Sequence, residues 1–351
     1  MTVAHNLYIH VPFCASKCAY CAFYSVATSP DWDRYAAGIE GEVDHWARTL
    51  GRFSVPTIFF GGGTPSLMPT HILDRILTHI RAAFDVDADA EITLESNPGT
   101  LDAARLDDIM RLGINRLSVG VQSFHDDELK FLGRRHSAAD AQRLMDAAHA
   151  RGLRVSADFI YGLPGHTADH VIALCREINK TGLRHCSLYE LTIEPNTPLG
   201  RMRPDMPDND AMADMYLAIS QNLTLPRYEV SNYAAPGDAC RHNMNVWDGA
   251  PYIGLGRGAA GRVRMGDTWY DQMGHGARFE PITPRDRAVE KIITGLRTAR
   301  GVALTPDVRD VLNGDRVATM SDYVYTTPDG RLVATEKGIL LLDNLLLELG
   351  A

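Results

Sequence analysis

From residue 6 to about 195, short apolar runs alternate with longer stretches whose apolar residues recur at helical spacing. The short runs predict strands at Leu7–Val11, Thr57–Phe60, Glu91–Glu95, Arg116–Gly120, Arg154–Ile160 and His185–Leu191. Helical patterning lies between them, near 32–50, 70–84, 102–112, 138–151 and 168–180. Repeated β-α alternation implies an α/β fold with parallel strands and helices outside, as a doubly wound sheet or a barrel. Six units fall short of the eight in a complete (β/α)8 barrel, so an incomplete (β/α)6 barrel over residues 1–200 is expected.

Past about residue 275 this rhythm stops. A helix is expected at Asp286–Ala299 and a shorter one near 305–313. Asp322–Tyr325 and Arg331–Ala334 flank Thr327-Pro328-Asp329-Gly330, a hairpin turn signal. Thr335–Leu349 reads as a leucine-rich closing helix. Residues 276–351 are therefore expected to form a smaller α+β, winged-helix-like domain, with 201–275 as a separate extension between the two. The leucines at 340–342 and 345–347 are expected in its core, with any exposed fraction available to a partner or a membrane surface.

In either parallel topology ligands bind at the carboxyl ends of the strands. Polar chemistry concentrates there: Gly61-Gly62-Gly63-Thr64 after the second strand, Glu95 at the end of the third, Gln122 after the fourth and Arg134 a little later. Each has an ordinary reading. Glycines make tight turns, and Glu95 alone reads as an exposed carboxylate or a cap. Asp158 is harder to dismiss, because it interrupts an apolar strand and a buried carboxylate needs a partner. Together these residues suit an amino acid head group and a ribose.

After the first strand come Cys14, Cys18 and Cys21, three of the six cysteines, spaced C-x3-C-x2-C. A cubane iron–sulfur cluster usually takes four cysteines, so three would leave one iron open. The rival is a zinc site with His10 completing a Cys3His set. No secretory leader is evident, and Cys175, Cys186 and Cys240 are scattered, so a cytoplasmic chain is expected. The net charge of −9 argues against nucleic acid as a partner. Apolar runs are too short to span a bilayer.

The cysteine spacing and the strand-end residues resemble the radical S-adenosylmethionine superfamily, and within it the HemN/HemW group, over nearly the whole chain. The resemblance implies a partial barrel in which Cys14, Cys18 and Cys21 hold a [4Fe–4S] cluster whose open iron chelates S-adenosylmethionine. It places Tyr8 and Tyr20 beside that cofactor, Gly62, Gly63 and Thr64 at its methionine end, and Glu95, Gln122, Arg134 and Asp158 at the remaining contacts. In that family one electron from the cluster cleaves the sulfonium to a 5′-deoxyadenosyl radical. Zinc accounts for none of the strand-end residues.

Within the group, coproporphyrinogen dehydrogenases of the HemN type carry a further cysteine two positions after the third ligand and a long segment before the loop. Here that position is Phe23, and thirteen residues precede Cys14. Both departures resemble the HemW type, which carries an H-N-x-x-Y-W element associated with haem. This chain has His242, Asn243 and Trp247, with Val246 in place of the tyrosine. His242 and Cys240 are the candidate axial ligands. The resemblance implies haem as cargo, acceptor haemoproteins, and an electron donor such as flavodoxin or ferredoxin. A homodimer and peripheral membrane attachment are further expectations. The alternatives are an oxygen-independent coproporphyrinogen III oxidase and a radical methyltransferase.

Overall fold

The computed structural model describes residues 3–273 and 278–351. Strands β1 (Asn6–Val11), β2 (Ser54–Gly62), β3 (Asp85–Ser96), β4 (Arg116–Gln122), β5 (Arg154–Tyr161) and β6 (His185–Glu190) pair in sequential order, all parallel. Helices Trp32–Leu50, Thr70–Ala83, Ala103–Arg111, Ala138–His149 and Ala168–Lys180 connect them. A doubly wound sheet reverses its strand order part-way; this one does not, so the barrel reading holds.

The barrel stays open. Instead of meeting each other, β1 pairs with β9 (Tyr252–Leu255) and β6 with β8 (Asn232–Ala234). β7 (Arg227–Glu229) extends the β8 side; β10 (Gly261–Met265), β11 (Thr268–Met273) and β12 (Arg278–Ile282) extend the β9 side, giving one sheet of 12 strands. The 201–275 extension thus supplies strands on both flanks of the same sheet. Its expected boundary with the tail, at 275/276, lies outside the described residues.

Side chains alternate along each strand, and the alternation explains the layers. Leu94, Leu117, Val119, Ala157, Phe159 and Leu188 are buried in the core, together with helix residues such as Ile39, Ile76, Leu106, Leu144 and Val171. Their neighbours Thr93, Glu95, Ser118, Ser156, Asp158 and Ser187 line the inside of the open barrel. The interior is therefore a polar lumen, whereas a closed barrel fills this space with apolar layers.

At the floor of that lumen sits Glu91, 1% exposed. Its carboxylate accepts from Arg116 Nε (3.0 Å) and Arg154 Nη1 (3.2 Å), and also from the His242 N–H (3.0 Å) and the Cys240 thiol (3.5 Å). One buried anion ties β3, β4 and β5 to the short helix Arg241–Trp247.

In the tail, the expected hairpin is β14 (Val324–Thr326) against β15 (Arg331–Ala334), with β13 (Val302–Ala303) on the other side of β15. The helix expected at Asp286–Ala299 runs Pro284–Gly295, capped by the Thr283 hydroxyl. The closing helix is broken at Leu341 into Glu336–Leu340 and Leu342–Leu349. Leu342, Leu345, Leu346 and Leu349 are core residues, while Leu341 and Leu347 are exposed. No helix among the described residues is long and apolar enough to cross a membrane.

Glu91→Ala would leave Arg116, also 1% exposed, without its counter-charge. A loss of about 3–5 kcal/mol is expected, read as a shift of the denaturant midpoint at unchanged slope. A loss under about 1 kcal/mol would mean that this ion cluster is not what holds the floor.

Candidate cofactor site and adjoining lumen

The cysteine loop leaves β1 and is pinned at both ends by backbone bonds. Cys14 N–H donates to Val26 O (3.0 Å) and Val26 N–H to Pro12 O (2.7 Å); farther on, Ala19 N–H donates to Leu132 O (3.0 Å). Cys14, Cys18 and Cys21 line one cavity of about 410 Å³. With them are Tyr20, Gly62, Gly63, Thr64, Glu95, Gln122, Arg134 and Asp158, eight of the nine residues expected around the cofactor. The ninth, Tyr8, lies deeper, in the lumen wall.

Donors face two of the sulfurs: Arg134 Nη1 is 3.4 Å from Cys18 Sγ and Thr64 Oγ1 is 3.6 Å from Cys14 Sγ. Arg134 is held in turn by Gly120 O (2.7 Å) and Asn97 Oδ1 (2.5 Å), and Asn97 Nδ2 donates to Thr64 Oγ1 (3.0 Å). Asn97 was not among the expected site residues; its strand-end position, two places after Glu95, was the available signal. His10 is committed elsewhere: Nδ1 bonds the Tyr8 hydroxyl (3.0 Å) and Nε2 the Tyr24 carbonyl (2.8 Å). That removes the fourth ligand from the zinc reading.

The glycines are required by space. A Cβ on Gly62, whose φ is +110°, would lie 2.6 Å from the His10 ring, and one on Gly63 2.7 Å from Phe13 O. A Cβ on Gly120 would meet Gln122 Nε2 at 2.8 Å and Arg134 Nη2 at 2.9 Å. Gln122 itself has φ +68°, a strained conformation for a residue with a side chain.

Two carboxylates dominate the electrostatics. Glu95 accepts the Gly62 N–H (3.0 Å), and burial, followed by the nearby Asp158 charge, pushes its pKa up to about 8. Burial also raises Asp158, although Ser187 (2.7 Å) and Ser118 (2.8 Å) donate to it. Two buried acids side by side form a seat for a cationic ligand.

Glu95, Asp158, Ser118 and Tyr189 also border the lumen, a second cavity of about 670 Å³ that contains Cys240, His242, Asn243, Val246 and Trp247. His242 is buried there, and burial lowers its pKa to about 3, so the ring is neutral. Its tautomer follows from its partners. Asn6 Nδ2 donates to Pro251 O (3.0 Å), so Asn6 Oδ1 is the acceptor for the Thr57 hydroxyl (2.8 Å). Thr57 Oγ1 must then accept from His242 Nδ1 (2.8 Å). Nε2 carries the lone pair and makes no hydrogen bond among the described residues. Cys240 differs: burial and Glu91 push its thiol up to about 12, so it remains protonated. Of the two candidate ligands, only His242 is in a metal-binding form.

The Radical SAM superfamily model matches residues 8–178. The chain is 42% identical over 268 residues to "Heme chaperone HemW" of Escherichia coli (strain K12), covering 75% of this chain and 71% of that one. It is 34% identical over 351 residues to the protein of the same name from Synechocystis sp., covering 90% and 84%. This chain belongs to the HemW family. Among solved structures, coproporphyrinogen III oxidase (HemN) from Escherichia coli superposes with a TM-score of 0.82 at 21% identity, covering 99% of this HemW-family chain and 90% of HemN. At that identity the likeness concerns the fold.

Two measurements check the site. Gly62→Ala should weaken S-adenosylmethionine binding at least about tenfold by calorimetry, since the added methyl meets the His10 ring and forces the Gly62–Thr64 edge of the cavity to shift; unchanged affinity would mean that this edge does not touch the cofactor. Glu95→Gln should stabilise the cofactor-free protein, and increasingly so as pH rises. Between about 4.5 and 8 the unfolded chain releases a proton that folded Glu95 retains, so wild type loses stability across that window and the amide does not. The difference in Tm should grow up to pH 8 and then level off.

Proposed function

We infer that this HemW-family protein is a haem chaperone, binding haem in the lumen through His242 and passing it to acceptor haemoproteins. The reading rests on the neutral His242 ring, held by Thr57 through Nδ1 with a free lone pair on Nε2. Relatives named as haem chaperones support it. A neutral imidazole with its other nitrogen hydrogen-bonded is the form that ligates haem iron. The volume of about 670 Å³ lies within the range of small-molecule sites. Val246 replaces the tyrosine of the family element and borders the same lumen.

Radical SAM membership implies a [4Fe–4S] cluster and S-adenosylmethionine. The donor set fits them: three cysteines on one cavity, donors aimed at two sulfurs, and two buried acids awaiting a cation. Cys14, Cys18 and Cys21 would hold the cluster. The Gly62–Thr64 edge, Gln122, Arg134 and the two acids would hold the sulfonium cofactor. When bound, the pair supplies one-electron cleavage of a carbon–sulfur bond. The protein's part is to fix Arg134 against Cys18 and Asn97, and to keep the acids dry. Phe23, 70% exposed at the edge of this cavity, occupies the position of the further HemN cysteine. Coproporphyrinogen dehydrogenation is therefore not expected.

Anaerobically reconstituted wild type should bind haem with a histidine-ligated Soret band. His242→Ala should lose that band or weaken binding at least about tenfold, and Cys240→Ser should keep it. Incubation with coproporphyrinogen III, S-adenosylmethionine and reductant should yield no protoporphyrinogen IX; its formation would replace the chaperone reading with an oxidase.

A further inference from the structure

The lumen is lined from both flanks of the open barrel, by Asn232 on β8 and by Tyr252 on β9, two strands that do not pair. Trp247 and Arg297 belong to the same lining. Arg297 is placed unlike the other arginine of the lumen. Arg116 is 1% exposed and tied to Glu91 and to the carbonyls of Asp238 and Ala239. The guanidinium of Arg297 lies over the Trp247 ring, 6.0 Å from its centroid, and makes no hydrogen bond among the described residues. Its ionic contact is Asp343 at 3.8 Å, a carboxylate whose side chain is 91% exposed and hence well solvated. Arg297 is itself about one-third exposed, so its donors reach both water and the lumen.

The rest of the lumen is unsuited to an anion. Glu95 and Asp158 form its border with the cysteine cavity. Glu229, 2% exposed, is joined to this end by a backbone bridge to Thr298, and one of its oxygens has no partner. Burial favours its neutral form, against the pull of Arg227 and Arg297. A ligand carrying a carboxylate thus finds no counter-charge at the border acids and is met at one place by a guanidinium able to make charge-assisted bonds.

We propose that Arg297 is the carboxylate-anchoring residue of the lumen, setting haem with its propionates at the gap between β8 and β9 and its iron toward His242. This rests on the haem reading given above, and goes beyond it by fixing the orientation of the ligand. Its outcome is separable from that reading by comparing haem with the dimethyl ester of haem, which keeps the iron and ring and lacks both anionic groups.

Wild type, Arg297→Gln and Arg297→Lys are titrated with each compound, and Tm is recorded for all three proteins. Arg297→Gln should weaken haem about tenfold, the size of one charge-assisted hydrogen bond, and leave the ester within about twofold. Arg297→Lys should recover most of the haem affinity, with Tm unchanged throughout. The histidine-ligated Soret band should persist in every variant. Equal weakening of both ligands, or of neither, overturns the anchor while leaving the haem reading in place. Failure of wild type to bind either compound overturns both.

Discussion

A single buried carboxylate organises the lower half of this molecule. Glu91 lies where a closed barrel would have apolar layers, and it accepts from two arginines, a backbone N–H and a thiol. Charges in such a place are tolerated only when every acceptor site is used. The requirement works in both directions: the helix Arg241–Trp247 satisfies Glu91, and Glu91 fixes the helix that carries His242. Thr57 and Asn6 then set the ring's tautomer from β2 and β1. The candidate haem ligand is thus held by three strands of the sheet as well as by its own helix.

The two cavities differ in their electrostatics and share a border. The cysteine cavity gathers positive donors around sulfur on one side, Arg134 above all, and buried acids on the other. The acids belong to the lumen as well, so a cation seated on Glu95 and Asp158 changes the field felt by whatever occupies the second chamber. Serines 118, 156 and 187 soften that border by donating to Asp158 without neutralising it.

Much of this was legible in the chain before any coordinates. The six parallel strands and five of the six helices between them follow the apolar periodicity to within a few residues at most ends, because each strand buries one face under a helix; the short helix Asp126–Phe131 was not foreseen. Eight of nine expected cofactor residues meet in one cavity, since strand-end positions in a sequential parallel sheet converge on one rim. Other features left little local trace. β7 to β9 have three or four residues each, and the pairing of β1 with β9 joins positions about 245 apart. Asn97, Ser118 and Ser187 are ordinary polar residues until the pleat places them on the inner face. Tyr8 was expected beside the cofactor; one strand position separates the rim from the lumen wall. The break at Leu341 was hidden by an unbroken leucine run, which reads equally well as one helix or two.

The open edge between β8 and β9 carries a consequence for traffic. A closed barrel of this kind places its sites at one face, so two ligands would share one rim. Here the lumen meets the outside along the flank, through Trp247 and Arg297, while the cysteine cavity meets it at the rim beside Phe23. Two partners approaching these two openings would meet different residues, Trp247 and Arg297 at one and Phe23 at the other. On the proposed reading, what enters the lumen and what reaches the three cysteines would therefore use separate doorways.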